Sequence, residues 1–197
     1  MFNPKEPYNN LPLLPPDKTL NDSPRILKQA ISAHRELAEL KGVANLLPNQ
    51  GVLLQVLNLQ EAKSSSEIEN IVTTNDKIYK SMSNEISKYT DPSTKEVLNY
   101  KNALWYAYEE IMHHKRLINA NLLKDIVKIV TENNAEIRKL PGTKLENPKT
   151  KEIIYTPPEG KDNIESKLFN LEKFIYEHED WDPLIKLALI HYQLIAS

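Results

Sequence analysis

The sequence predicts a mostly α-helical protein with one β-hairpin, and three observations carry that prediction. Apolar residues recur at three- and four-residue spacing through most of residues 24–130 and again through 164–195, the period of helices that bury one face. Alternation with β-branched residues reaches useful length only at Ile153-Ile154-Tyr155-Thr156, behind a stretch punctuated by Pro141, Gly142 and Pro148, which predicts two short strands joined near Asn147-Pro148. The 197 residues, 40% of them hydrophobic and 26% charged, suffice for one sizeable core or one domain with a smaller module.

Taken in order, residues 1–22 hold Pro4, Pro7, Pro12, Pro15 and Pro16, which remove backbone donors and predict an extended arm. Pro12-Leu13-Leu14-Pro15 fits a PxxP ligand pattern, but that pattern discriminates weakly, and Leu11, Leu13 and Leu14 are read as pins holding the arm to the body. Ser23-Pro24 opens a helix whose face is Ile26, Leu27, Ala30, Ile31, Leu37 and Leu40, with Gly42 as its stop. A second helix runs from about Asn49 to Ala62 with Val52, Leu53, Val56, Leu57 and Leu59. Ser64-Ser65-Ser66 reads as a joint before a short helix through Val72, and Thr74-Asn75-Asp76 precedes another with Ile78, Tyr79, Met82 and Ile86. Asp91-Pro92 turns the chain. A long helix from Thr94 points Val97, Leu98, Ala103, Leu104, Tyr108, Ile111 and Met112 inward, and Asn119 restarts it with Leu122, Leu123, Ile126, Val127 and Val130.

After the hairpin, Asp162-Asn163-Ile164-Glu165 reads as a capping-box start for a helix through Leu168, Leu171, Phe174 and Ile175. Asp182 and Pro183 start the final helix, which is apolar on nearly every side through Ile195. Such a helix asks for burial all round, so Leu184, Leu187, Leu189, Ile190, Leu194 and Ile195 are not all expected to be covered by the chain itself. An uncovered patch there favours self-association.

Composition narrows the function classes. A net charge of −2 with both signs interspersed gives no electrostatic case for nucleic acid or membrane surfaces. With no Cys there is no disulfide framework, thiolate metal site or cysteine nucleophile. No apolar run approaches the roughly 20 residues a bilayer span needs, and Met1 to Pro7 lacks the pattern of a signal peptide. The expected location is the cytoplasm.

No catalytic constellation is found by spacing, and neither catalytic nor metal-ligating residues are assigned. His34, His113, His114, His178 and His191 form no ligand pair, and Gly42, Gly51, Gly142 and Gly160 assemble no phosphate-cradling loop. His113-His114-Lys115-Arg116 reads as cations offsetting a helix dipole. Ser65-Ser66-Glu67-Ile68-Glu69-Asn70 fits [ST]xxxE[GN], with Ser65 and Glu69 one helical turn apart. Ser64 with Glu67, or Ser66 with Glu69, would equally make an ordinary capping box. Pro141-Gly142, Ile154-Tyr155-Thr156-Pro157-Pro158-Glu159-Gly160, Leu168 to Ile175, Asp182 to Lys186 and His191-Tyr192-Gln193 then follow in one order.

That order resembles the Fic (Fic/Doc) family of AMP transferases over nearly the whole chain. The resemblance implies a Fic-type helical bundle with a β-hairpin flap. Residues 1–90 are similar to the N-terminal Fic-associated domain, with an inhibitory helix near 64–72, and residues 91–197 to the first part of the Fic core, with the flap at 143–156. Ser65, Glu69 and Asn70 match the inhibitory, ATP-site motif. Ile153, Ile154, Tyr155 and Thr156 are the expected target-docking edge, the alternative being a hairpin that merely covers the core.

The family's catalytic signature, HxFx[DE]GNGRxxR, follows its HYQ helix. The sequence reaches Ser197 without it, so the expectation is a chain truncated at its C-terminus. His191 does not replace the catalytic histidine, because Tyr192 to Ser197 contain neither the acidic residue nor the Gly-Asn-Gly-Arg cradle. The intact family uses ATP and Mg²⁺, and neither is expected to bind tightly here. The expected function is that of the N-terminal part of a self-inhibited AMP transferase acting on a hydroxyl side chain of an unidentified protein, inactive by itself. A non-enzymatic interaction module using the flap edge or the open apolar face is the competing reading.

Overall fold

In a computed structural model of the protein, residues 3–46, 48–68, 70–82, 91–134 and 136–197 are described. Among them lie seven α-helices: α1 (Pro24–Ala44), α2 (Gln50–Ile68), α3 (Asn75–Met82), α4 (Pro92–Met112), α5 (Ala120–Thr131), α6 (Lys161–Glu177) and α7 (Pro183–Ala196). One antiparallel hairpin, β1 (Leu145–Glu146) with β2 (Ile153–Tyr155), completes the set. The mostly helical fold with a single hairpin is the one expected. Contacts divide the chain into two units, one of Met1–Leu40, Ile118–Ala120 and Glu136–Ser197, the other of Lys41–Leu117 and Asn121–Ala135.

The first unit has its core where Leu14, Ala30, Leu171, Phe174, Trp181 and Ile185 meet. Phe174 lies edge-on to Trp181, with ring centroids 5.9 Å apart, a favoured aromatic geometry. Lys186 closes the end of α6: its Nζ donates to the carbonyls of Ile175 at 2.8 Å and His178 at 2.7 Å, satisfying acceptors that a helix end leaves open. Asp182 caps α7, its Oδ1 accepting from the N–H groups of Leu184 and Ile185 at 2.9 and 3.3 Å. Burial opposes ionisation of Asp182, but hydrogen bonds from His34, Leu184 and Ile185 outweigh it and hold the carboxyl below its ordinary range. The start of α6 differs from expectation. Its N-cap is Gly160, at φ 88° and without a side-chain cap, and Asp162 lies inside the first turn.

The second unit packs α2 and α3 on α4 around Ala62, Ile78 and Val97. Asp91 caps α4 rather than ending a turn before it: Oδ1 accepts from Thr94 N–H at 3.2 Å and Oδ2 from the Thr94 hydroxyl at 2.8 Å, with Pro92 in the first turn. Thr94 and Thr73 share a buried hydroxyl contact of 2.5 Å.

Three expectations about the first helices need correction. Gly42 does not stop α1, which continues to Ala44; an interior Gly costs a helix only about 1 kcal/mol. The Ser64-Ser65-Ser66 joint is absent, since α2 runs through it to Ile68. The expected inward stripe of α2 is wrong in part, Leu59 alone of the set being packed on the core. Val52, Val56 and Leu57 are exposed, while Leu59 and Ala62 supply its packed side. A helix with apolar residues on nearly every side offers no single stripe by which periodicity can choose a face.

Candidate functional site

Two places carry the residues singled out by the sequence, one in each unit. The first is the hairpin. Asn147 organises its turn: Oδ1 accepts from the N–H groups of Lys149 and Thr150 at 2.9 and 3.2 Å, and the Asn147 N–H donates to the Glu152 carbonyl at 2.8 Å. Lys151 takes a left-handed φ of 59°. The strands pair Leu145 with Tyr155 and Glu146 with Ile153, with a bulge between Leu145 and Glu146. Of the expected docking edge, Ile154 is 51% exposed, Ile153 and Tyr155 are half-buried and Thr156 is 2% exposed.

A cavity of about 760 Å³ adjoins β1 and the C-terminal turn of α7, with Tyr8, Arg138, Leu145, Tyr155, Tyr192 and Leu194 among its walls. Tyr155 donates its hydroxyl to the Ala196 carbonyl at 2.6 Å. Burial pushes that phenol's pKa up, the neighbouring Tyr192 and Tyr8 add to the shift, and Arg138 opposes it. Arg138 donates through Nη2 to the Pro158 carbonyl at 3.0 Å and to the backbone oxygen of Ser197. Its buried Nε has no hydrogen-bond partner among the described residues. The lining offers phenol rings and the cations Arg138 and Lys144, with no side-chain carboxylate or imidazole among the described lining residues. Such a wall can hold an anion or a flat group.

The second place is the end of α2. Ser65 donates its hydroxyl to Glu61 Oε1 at 2.8 Å, one turn back, and Lys63 lies 3.6 Å from Glu67. Asn70 adopts φ 64°. Its N–H donates to the Glu67 carbonyl at 3.0 Å, and the Ile71 N–H to the Ser66 carbonyl at 2.9 Å. These paired bonds are the Schellman closure of a helix, in which one residue must be left-handed and Gly or Asn is preferred. The capping-box alternatives therefore fail, because Ser64, Ser66 and Glu67 sit at the end of a helix and not at its start. Glu69 lies outside the described residues.

The sequence reading missed a charged cluster on the same unit. Arg116 donates through Nη2 to Asp125 Oδ2 at 2.6 Å, and through Nη1 to the Tyr106 hydroxyl at 2.8 Å and Glu110 Oε2 at 3.1 Å. His114 Nδ1 lies 2.8 Å from Glu110 Oε1. The Asp125 bond, then the Glu110 bond, raise the Arg116 pKa, while hydrogen bonds from His114 and Arg116 hold Glu110 low. The four-residue spacing of Glu109-Glu110 and His113-His114 was the available signal. Among the described residues, no three carboxylate or histidine side chains converge to hold a metal ion.

Residues 27–109 match the Fic/DOC family N-terminal. Over that segment, less than half of the chain, the sequence is similar to the N-terminal domain of that family. The matched segment contains α2, α3, most of α1 and α4, and the whole of Ser65 to Asn70. The left-handed backbone of Asn70 fits the Gly-or-Asn position of the pattern [ST]xxxE[GN], since a helix terminus of this kind favours those two residues. The hairpin and its cavity lie outside the match. Among the described residues, no helix is long and apolar enough to cross a membrane.

Proposed function

We propose that this chain is the regulatory and target-docking part of a cytoplasmic, self-inhibited Fic-type protein that transfers AMP from ATP to a hydroxyl side chain of a protein. Supporting this most directly is the family match across residues 27–109, which contains the pattern Ser65–Glu69–Asn70 with Asn70 left-handed. In this reading Glu69 is the inhibitory carboxylate. It repels the γ-phosphate of ATP and pairs with an Arg of the HxFx[DE]GNGRxxR signature, so that the nucleotide loses a charge it needs. Ser65 steadies the helix that carries it. Ile153, Ile154 and Tyr155 present the flap edge, where a target strand adds through main-chain hydrogen bonds and brings its hydroxyl into line.

The 197 residues contain no HxFx[DE]GNGRxxR segment. The general base, the acid that holds the metal on ATP and the phosphate cradle belong to that segment in the intact family, so these residues alone are proposed not to transfer AMP. Labelled ATP with Mg²⁺ and candidate targets, this protein included, tests that; covalent label on any protein overturns it. The inhibitory reading is tested in a chimera that supplies the signature segment. Glu69→Gly frees the Arg, and since a charge-assisted hydrogen bond is worth about 1.5–3 kcal/mol, transfer should rise roughly tenfold or more. An unchanged rate with normal ATP binding returns Ser65 to Asn70 to a plain helix end.

A second reading, a non-enzymatic interaction module, is favoured by one observation. On α7, Leu187, Tyr192 and Ile195 are 60%, 59% and 69% exposed, an apolar face suited to self-association. Sedimentation of the chain beside Leu187→Glu tests it, and a monomer at every concentration removes it.

A further inference from the structure

The hairpin is not free at its outgoing end. The Tyr8 N–H donates to the Thr156 carbonyl at 3.0 Å, and the Thr156 hydroxyl donates to the Pro4 carbonyl at 2.7 Å. The Tyr8 ring meets Tyr155 edge-on, with centroids 6.4 Å apart at 80°. One residue on, Asn9 Oδ1 accepts from the Glu159 N–H and from Asn163 Nδ2, both at 2.9 Å. The arm is in turn seated on the helices. Asn170 exchanges two 2.8 Å hydrogen bonds with the backbone of Leu14, and the buried Lys167 donates to the Leu11 carbonyl at 3.1 Å.

These contacts have a direction. A two-stranded hairpin is marginal by itself, and β1 and β2 together span few residues. The strand that carries Ile153, Ile154 and Tyr155 must therefore take its fixed position from outside the hairpin. Its turn is held locally by Asn147, but its outgoing end is held by residues about 150 positions earlier in the chain.

We propose that Tyr8 and Asn9 are positioning residues for the flap: the seated arm fixes the end of β2, blocks its edge at Thr156, and so sets how far along that edge a docked target strand can run. The proposal rests on reading the hairpin as a target-docking flap. An added strand would pair beside Ile154 and stop at the arm, which makes the arm part of the register that places the target hydroxyl.

Hydrogen exchange on the full chain tests the positioning without requiring AMP transfer. In Tyr8→Ala/Asn9→Ala, amides of residues 145–155 should exchange roughly ten- to a hundredfold faster, the range expected for losing a ring contact and two hydrogen bonds. Amides from Leu171 to Ile175 and through α7 should keep their rates. Tyr8→Phe, which retains the ring and the backbone donor, should keep the flap protected. Unchanged flap exchange in the double variant overturns the proposal, and so does an equal rise through α6 and α7, which would make the arm a general staple. In an active chimera, Tyr8→Ala should raise KM for the protein target several-fold and leave KM for ATP unchanged. If the chimera transfers nothing, the functional reading fails while the exchange result still stands or falls alone.

Discussion

The end of α2 and the β2 flap are held in place by opposite means. At α2, each hydrogen bond named joins residues within five positions of one another: Ser65 to Glu61, Asn70 to Glu67 and Ile71 to Ser66. At the flap, beyond the local turn bonds of Asn147, the anchoring bonds are long-range: Tyr155 reaches Ala196, 41 positions on, and Thr156 to Pro4 and Glu159 to Asn9 join residues about 150 positions apart. The local site is a property of a short peptide pattern, whereas the flap depends on a long closed loop whose entropy must be offset by packing elsewhere. A change in the core of the first unit should therefore reach the flap, and a change at Asn70 should remain local.

The largest test is Phe174→Ala. Phe174 is wholly buried among Leu14, Leu171, Trp181 and Ile185, and emptying such a site costs about 3–5 kcal/mol. Chemical denaturation should show that loss, and flap exchange should rise with that of α6. Protection in α4 that fell in step would break the contrast between the two units.

Asn170→Leu comes next. It removes both bonds to the Leu14 backbone and should cost about 2 kcal/mol, at roughly 1 kcal/mol per bond. Proteolysis of the arm should quicken before the helices are cut. An arm as resistant as in the wild type would show that Leu11 and Leu14 seat it without Asn170.

Asp182→Ala should cost about 1 kcal/mol through the lost cap of α7. Its pH dependence follows from the lowered pKa. The stabilisation is complete above the ordinary carboxyl value of 3.8 and fades as pH falls through the lower folded value. Urea melts of both proteins should thus differ at neutral pH and converge in acid. A gap that widened in acid would reverse the assignment.

Asn70 gives the smallest and most local effect. At φ 64°, Asn70→Ala keeps a Cβ in the left-handed region but loses the short polar side chain that eases that conformation, at a cost of about 1 kcal/mol, whereas Asn70→Gly removes the Cβ and should be near neutral. Equal losses in both variants, measured by thermal melting, would mean that the Asn side chain and not its backbone holds this helix end.

These cases explain what could be read beforehand. The mostly helical course, the hairpin and the arm pins Leu11 and Leu14 follow from periodicity and from proline, and the structure contains them, although the short helix expected after Ser66 is absent because α2 runs on to Ile68. Leu13, expected beside them, is 54% exposed. The cap of α4 was readable in Asp91-Pro92 yet looked like a turn, because capping and turning use the same residue types. Arg116 looked like a dipole partner, since nothing in a linear pattern shows that Asp125 and Tyr106 converge on one guanidinium.

By itself the sequence determined what local chemistry determines: which segments are helical, where β-branched residues make strands, and a Ser–Glu–Asn pattern whose last position suits a helix end. Tertiary structure alone decided which side of α2 is packed, that Thr156 is buried under the arm while Ile154 is not, and that Tyr8, Arg138, Tyr155 and Tyr192 share a wall. The reason is physical. Propensity and capping act over one or two turns of chain, whereas burial and long-range hydrogen bonds depend on the partners that folding brings together.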